Sequence, residues 1–271
     1  MKNHLRTGMV LSAILALSLS ACGGDAKKDA EPSRIRVAEQ VPNLITPGVW
    51  DGQAFSLNAS VYDYLVEIDP ESGELSPALA LSWASEDGRT WELKLRQGVR
   101  FHDGSPFDAA DVKFTIERTQ DPGLGHLKAQ DFSVVESVET PDAHTVIVRL
   151  KEVRPTFIYQ MTDYNMAVLS SEYDYVAKGE VAPMGTGAFM VKALTPKESA
   201  HLVRNPDFWE EGYPLADELL IYFVPDIDSS VALLEAGKVD VVPQVTPLIK
   251  RRLENLSGYS VASPYQEQRF I

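Results

Sequence analysis

His102 and Asp103 stand side by side in the stretch FHDGSPF, and an imidazole beside a carboxylate is the simplest unit of general acid–base chemistry. The pair falls in a turn before a helical pattern, where a solvated histidine and a permissive Gly104 account for the same residues without catalysis. His126, His144 and His201 are far from it and from one another in the chain, with no H-x-x-x-H pair and no cysteine partners. That spacing supports no zinc site. Gly185-Thr186-Gly187 opens a glycine-rich loop but lacks the later glycine of a dinucleotide fingerprint, and neither a G-x-S-x-G elbow nor a Walker loop occurs. Carboxylates outnumber cations by 39 to 25, so chance carboxylate pairs carry little information. The residues therefore point to no enzyme, no metal and no cofactor.

The single cysteine, Cys22, sits where an apolar run meets two glycines. Ahead of it come Lys2 and Arg6, then Met9–Leu19, apolar except for Ser12 and Ser18, in the order of a secretory signal. That run is shorter than the roughly 20 apolar residues a membrane-spanning helix needs. Leu19-Ser20-Ala21-Cys22 resembles a bacterial lipobox, in which the thiol receives diacylglycerol and becomes the new N-terminus. Residues 1–21 then read as a signal peptide, and residues 22–33, polar and small, as a flexible lipid-anchored tether. Two acyl chains meet the requirement for stable anchoring. Cleavage removes Lys2 and Arg6 and no acid, which takes the net charge from −14 to −16. So acidic a surface repels phosphate backbones and excludes nucleic acid as partner.

The elements that must position any site read as mixed α/β, and the roughly 250 residues beyond the cysteine are enough for one large or two smaller domains. Ile35–Val37 is a short strand, Asn58–Val66 a helix, and Pro70–Gly73 and Ser76-Pro77 mark turns. Trp91, Leu93 and Leu95 alternate with charged residues, as a half-buried strand requires. Asp108 caps a helix through Val112 and Ile116 that Asp121-Pro122-Gly123 ends, and Val146, Val148 and Leu150 alternate again after a turn at Pro141-Asp142. Glu218–Val224 reads as a strand buried on both faces. Asp228 then caps a helix closed by Gly237, and Val239–Val242 completes a parallel strand–helix–strand crossover.

The run from VYDYLVEIDP through FHDGSPFDAADVKFTIERTQDP is similar to the N-terminal signature of the extracellular solute-binding proteins of family 5, the dipeptide, oligopeptide and nickel class of ABC-importer receptors. GTGAFMV, followed by LVRNPDFWEEGYPLADELLIYFVPDIDSSVALLEAGKVDVV, resembles the later signature of the same family, and the likeness runs from Arg34 to Ile271. One departure is Ala188, where many members carry proline.

The resemblance implies an α/β fold of the periplasmic-binding-protein type II class, with mixed sheets and flanking helices, and the first lobe only. Residues 34–61 would form the first part of the lobe I core, 62–168 an accessory subdomain, and 169–271 the rest of the core up to the first crossover, with the second lobe absent. It implies a monomer that captures a peptide or similar small solute and delivers it to the transmembrane subunits of an ABC permease, facing the periplasm or the cell exterior. The irregular segment 46–53 would enter the cleft, with Trp50 offering a flat apolar face and one N–H donor beside Asp51 and Gly52. Asp163, Tyr164 and Asn165, in MTDYNM, and His126 are the other candidate contacts; a solvated surface role is open for each. Gly185–Phe189 would support the cleft. A truncated lipoprotein that serves as a scaffold is the alternative.

Overall fold

A computed structural model describes residues 32–42, 54–69, 72–175, 182–243, 245–254 and 258–261, all within the compact unit Pro32–Ile271. The signal peptide, Cys22 and most of the tether expected from the sequence lie outside these residues, as do Trp50, Asp51 and Gly52.

The chain opens on β1 (Arg34–Gln40), longer than the three residues the sequence suggests, with Val37 and Ala38 fully buried. Helix α1 (Phe55–Val61) follows. It starts and stops earlier than the apolar pattern predicts, because residues after Val61 are held in extended backbone: the Val61 carbonyl accepts from Gly187 N at 2.9 Å, and Val66 already belongs to the next strand. β2 (Val66–Ile68) and β3 (Leu75–Pro77) pair as a small antiparallel hairpin, so Ser76-Pro77 ends a strand where a turn was expected.

β4 (Ala80–Ala84) and β5 (Thr90–Leu95) are next. On β5 the expected alternation is present, Trp91, Leu93 and Leu95 inward and Glu92 and Lys94 outward. Each such buried side chain contributes about 1.5–3 kcal/mol, more than the whole ~1 kcal/mol span of intrinsic strand propensity, so burial sets the register.

Helix α2 (Ala109–Arg118) begins with a reciprocal cap: Asp108 Oδ1 accepts from Ala110 N at 2.7 Å, and Asp111 Oδ2 accepts from Asp108 N at 2.9 Å. It ends at Arg118, before the Asp-Pro-Gly turn. The short α3 (Ala129–Phe132) leads into β6 (Val135–Asp142) and β7 (Thr145–Leu150). Their reversal falls at Ala143-His144 and not at Pro141-Asp142, since Asp142 Oδ1 accepts from His144 N at 2.8 Å. The strands β4-β5-β7-β6 form one antiparallel sheet, on which α2 packs. Beyond it two 3-10 turns, Phe157–Thr162 and Tyr164–Met166, lie under Phe132, whose ring meets Phe157 edge-on at 5.6 Å.

The chain then returns to β1. β8 (Phe189–Thr195), β9 (Ser199–Arg204) and β10 (Glu218–Val224) make a four-stranded mixed sheet in the order β1-β10-β9-β8, parallel only between β1 and β10. β10 is not buried on both faces as its apolar run suggests. Leu219, Ile221 and Phe223 point into the core, whereas Tyr222 on the other face is 37% exposed. Asp226, not Asp228, caps α4 (Ile227–Glu235), its Oδ1 accepting from Ser229 N at 2.7 Å; Asp228 sits in the first turn. The expected last strand is reduced to one parallel bridge, Val241 to Val37, which places residue 241 and β10 on opposite sides of β1 and keeps the parallel crossover. α5 (Pro247–Glu254) closes a small separate cluster with α4 through Val231, Ile249 and Leu253.

Candidate functional site

Asp63, Thr186 and Trp209 tie the two sheets' connections together. Asp63 is buried, and its Oδ2 accepts from Thr186 Oγ1 at 2.9 Å and from Trp209 Nε1 at 2.8 Å. Arg96 lies over the Trp209 ring at 4.2 Å. Gly185 and Gly187 let their loop press on the end of α1: a Cβ on Gly185 would stand 2.3 Å from the Val61 carbonyl oxygen, and one on Gly187 2.6 Å from that of Ser60. The glycines are there for close approach, not for a phosphate.

His102 joins the same knot, so it is not the solvated turn residue that the sequence suggests. Its Nε2 donates to Gly187 O at 2.9 Å, its backbone N donates to Gly185 O at 2.9 Å, and burial pulls its pKa below the usual histidine value. The ring is half-buried and holds a glycine loop in place, while Asp103 Oδ1 is engaged by Ser105. The acid–base reading of the pair therefore has no support in the geometry.

A second polar cluster forms where α3 meets the 3-10 turns, and it brings together four of the residues singled out from the sequence. Asp163 caps the second turn, its Oδ1 accepting from Asn165 N and Asn165 Nδ2, both at 2.9 Å. Its other oxygen pairs with the Lys128 ammonium, which also reaches Asp131 at 3.3 Å. Burial alone would lower the lysine pKa, but these carboxylates raise it on balance and keep the cation charged.

Lys128 N donates to His126 Nδ1 at 3.0 Å, so Nδ1 is the bare nitrogen, and the ring is bonded to the Asn165 backbone. Burial first, and then the nearby Arg118 charge, push His126 down to about 4. It is neutral at pH 7. His126 is 7% and Asn165 5% exposed, which removes the solvated-surface alternative for both, whereas Tyr164 is 38% exposed and faces outward. Asn165 Oδ1 is sealed from solvent and has no hydrogen-bond partner among the described residues.

This arrangement can bind but has no chemistry to drive. It offers a neutral imidazole, an amide, a tyrosine and a carboxylate–ammonium pair, fixed by mutual hydrogen bonds, and none of these is an activated nucleophile. Sequence reading missed two members. Lys128 shows in the sequence only its i, i+3 pairing with Asp131, while the partner that ties it to the cluster lies 35 positions away at Asp163. Arg118 was legible: with Asp111 and Thr115 it follows the i, i+4, i+7 spacing of the buried face of α2.

The fold is that of a type II periplasmic binding protein, matched over about 83% of this chain and about half of its structural neighbours. The chain belongs to the bacterial extracellular solute-binding proteins, family 5, whose middle region it matches over residues 74–271. It is 29% identical over 259 residues to heme-binding protein A of Haemophilus influenzae, covering 85% of this chain and 47% of that protein. It is 27% identical to the glutathione-binding protein GsiB of Escherichia coli O1:K1 / APEC, over 98% of this chain and 52% of the relative. Among solved structures it resembles the binding protein AgaA of A. tumefaciens R10 in complex with agropinic acid. There the identity is 25% and the TM-score 0.76, over 83% of this chain and 46% of the other. The chain thus spans about half the length of the relatives it matches, and those relatives are binding proteins rather than enzymes.

Proposed function

We propose that this chain is the first-lobe part of a solute receptor of an ABC importer, held at the membrane by lipid on Cys22. It presents a peptide or a similar small solute to the transmembrane subunits of the permease. The observation that carries this reading is the convergence of His126, Lys128, Asp163, Tyr164 and Asn165 into one hydrogen-bonded cluster in a lobe of family 5. Organised, half-buried polar groups with no reactive member suit recognition, and the relatives named for heme and glutathione support a general solute-binding role. The segregation of the two sheets supports a lobe core of residues 34–61 and 169–271 with an accessory subdomain of 62–168. Trp50, Asp51 and Gly52, on the segment leading into α1, complete the proposed site. The chain acts as a monomer, and tethering raises its effective concentration at the permease.

Calorimetric titration of the chain with trialanine and with a pool of short peptides tests the binding claim. Saturable heat is expected; no heat with any peptide would leave the scaffold reading in its place. The tether is tested by the intact mass of protein extracted in detergent from its own cells: a chain beginning at Cys22 and carrying acyl groups is expected, and an unmodified N-terminus would refute the anchor.

A further inference from the structure

Arg118 is the exception in this protein's electrostatics. The chain has 39 acids, and most of the arginines in the described residues use one or a backbone oxygen: Arg34 binds Glu218, Arg36 Asp240, Arg149 Glu139, Arg252 Glu235 and Arg100 the Gly104 carbonyl. Arg118, in the last turn of α2, is 9% exposed, and among the described residues its side chain donates no hydrogen bond and forms no ion pair; its Nε is sealed from solvent without an acceptor. Tyr175 and then Asp121 act on it electrostatically without bonding it; Asp121, three positions on, spends Oδ1 on Gly123 N. Burying a cation without a partner is strongly unfavourable.

Its surroundings are those of the cluster described above. The guanidinium is close enough to His126 to depress that ring's pKa, and His126 is bonded to Asn165. The other cation there, Lys128, is already neutralised by Asp163 and Asp131. Tyr62, whose buried hydroxyl is bonded to the Met184 backbone, also lies within electrostatic reach of Arg118. The Arg118 guanidinium and the neutral His126 ring thus stand within electrostatic reach of each other, and among the described residues no carboxylate is bonded to that guanidinium.

We propose that Arg118 is the anion-binding group of this lobe and receives a carboxylate of the solute beside His126. This rests on the solute-binding reading and narrows it to carboxylate-bearing solutes. Guanidinium and carboxylate match as a two-pronged pair, and a ligand carboxylate supplies the charge that no described residue brings to it.

The test uses the full chain, Arg118→Met and Arg118→Lys, followed by thermal unfolding in sodium acetate against sodium chloride at equal ionic strength. Calorimetry with trialanine and with its C-terminal amide completes it. Arg118→Met is expected to melt above wild type without ligand, since it removes an unpaired buried charge, and acetate should raise the melting temperature of wild type but not of this variant. Wild type should prefer the free acid over the amide by about 30-fold or more, the loss typical of removing one partner of a buried charge pair. Arg118→Met should lose that preference and Arg118→Lys keep part of it. Should the Met variant fail to fold, the acid–amide preference of wild type and the Lys variant decide. Equal binding of acid and amide with no acetate effect would overturn the role of Arg118 while leaving solute binding intact. Acetate stabilisation of wild type alone, with no peptide bound, would uphold the anion site and refute peptide as the cargo. A melting temperature lowered in Arg118→Met, with acid and amide bound alike, would make the arginine a packing residue.

Discussion

Glu39 and His126 make opposite demands on pH, and replacing either should expose a dependence that the pair conceals. Glu39, on β1, is 5% exposed; its Oε2 accepts from Ser56 N at 3.0 Å, and burial, outweighing that bond, raises its pKa from 4.5 to about 7. It holds its proton more tightly folded than unfolded, so its contribution to stability is fully present below pH 4.5 and lost as the pH rises through 7. At about 1.4 kcal/mol per pH unit the difference is roughly 3 kcal/mol. His126 runs the other way. Lowered from 6.5 to about 4, it favours the folded state above pH 6.5 and loses that contribution as the pH falls to 4, by at most about 3 kcal/mol.

Between pH 4.5 and 6.5 the two slopes oppose, and the wild-type curve should be nearly flat as far as these groups decide it. Glu39→Gln should therefore lose up to about 3 kcal/mol between pH 7 and 4, while His126→Gln should gain about as much between pH 7 and 4.5, against a typical total of 5–15 kcal/mol. Urea denaturation of both variants, the double variant and wild type, in half-unit steps of pH, reads this directly. A Glu39→Gln minus wild-type difference that stays constant with pH, within about 0.5 kcal/mol, would refute the buried-carboxylate reasoning.

Three further outcomes are expected. Gly185→Ala places a Cβ 2.3 Å from the Val61 carbonyl oxygen, so it should destabilise by about 2–3 kcal/mol in urea, at the upper end of the cost of overpacking; a loss under about 0.5 kcal/mol would show that the loop shifts freely. Asp63→Ala strips both Thr186 and Trp209 of their acceptor and should lower stability by roughly 2–4 kcal/mol, with a change in tryptophan fluorescence at native pH; unchanged emission would argue against the Trp209 contact. Lys128→Met leaves Asp163 without its cation and should weaken solute binding about 10-fold, read by calorimetry, with little loss of stability, because the pair is partly exposed.

Most of the scaffold was legible because its signals are local. The Asp108 cap and the alternation at Trp91, Leu93 and Leu95 each occupy one turn or one strand, and the crossover after β10 is contiguous in the chain from Val224 to Val241. What escaped depends on contacts distant in the chain. The end of α1 is set by Gly187, more than a hundred residues on, and the solvated look of His102 fails for the same reason, since its acceptor is that glycine's carbonyl. β10 looked buried on both faces because Leu220 and Tyr222 are apolar, yet alternation in burial follows from what covers a sheet, not from composition. At the site, the adjacent trio Asp163, Tyr164 and Asn165 stood out in the sequence, while the lysine that joins it to His126 did not.

The central claim is that this lobe binds solute at the cluster of His126 and Asp163–Asn165. Two-dimensional amide NMR of the full chain, titrated with a pool of short peptides, tests it most directly. Saturable shifts concentrated at the amides of residues 126–128 and 163–165 are expected. Shifts confined to other surfaces, or none at saturating peptide, would contradict it.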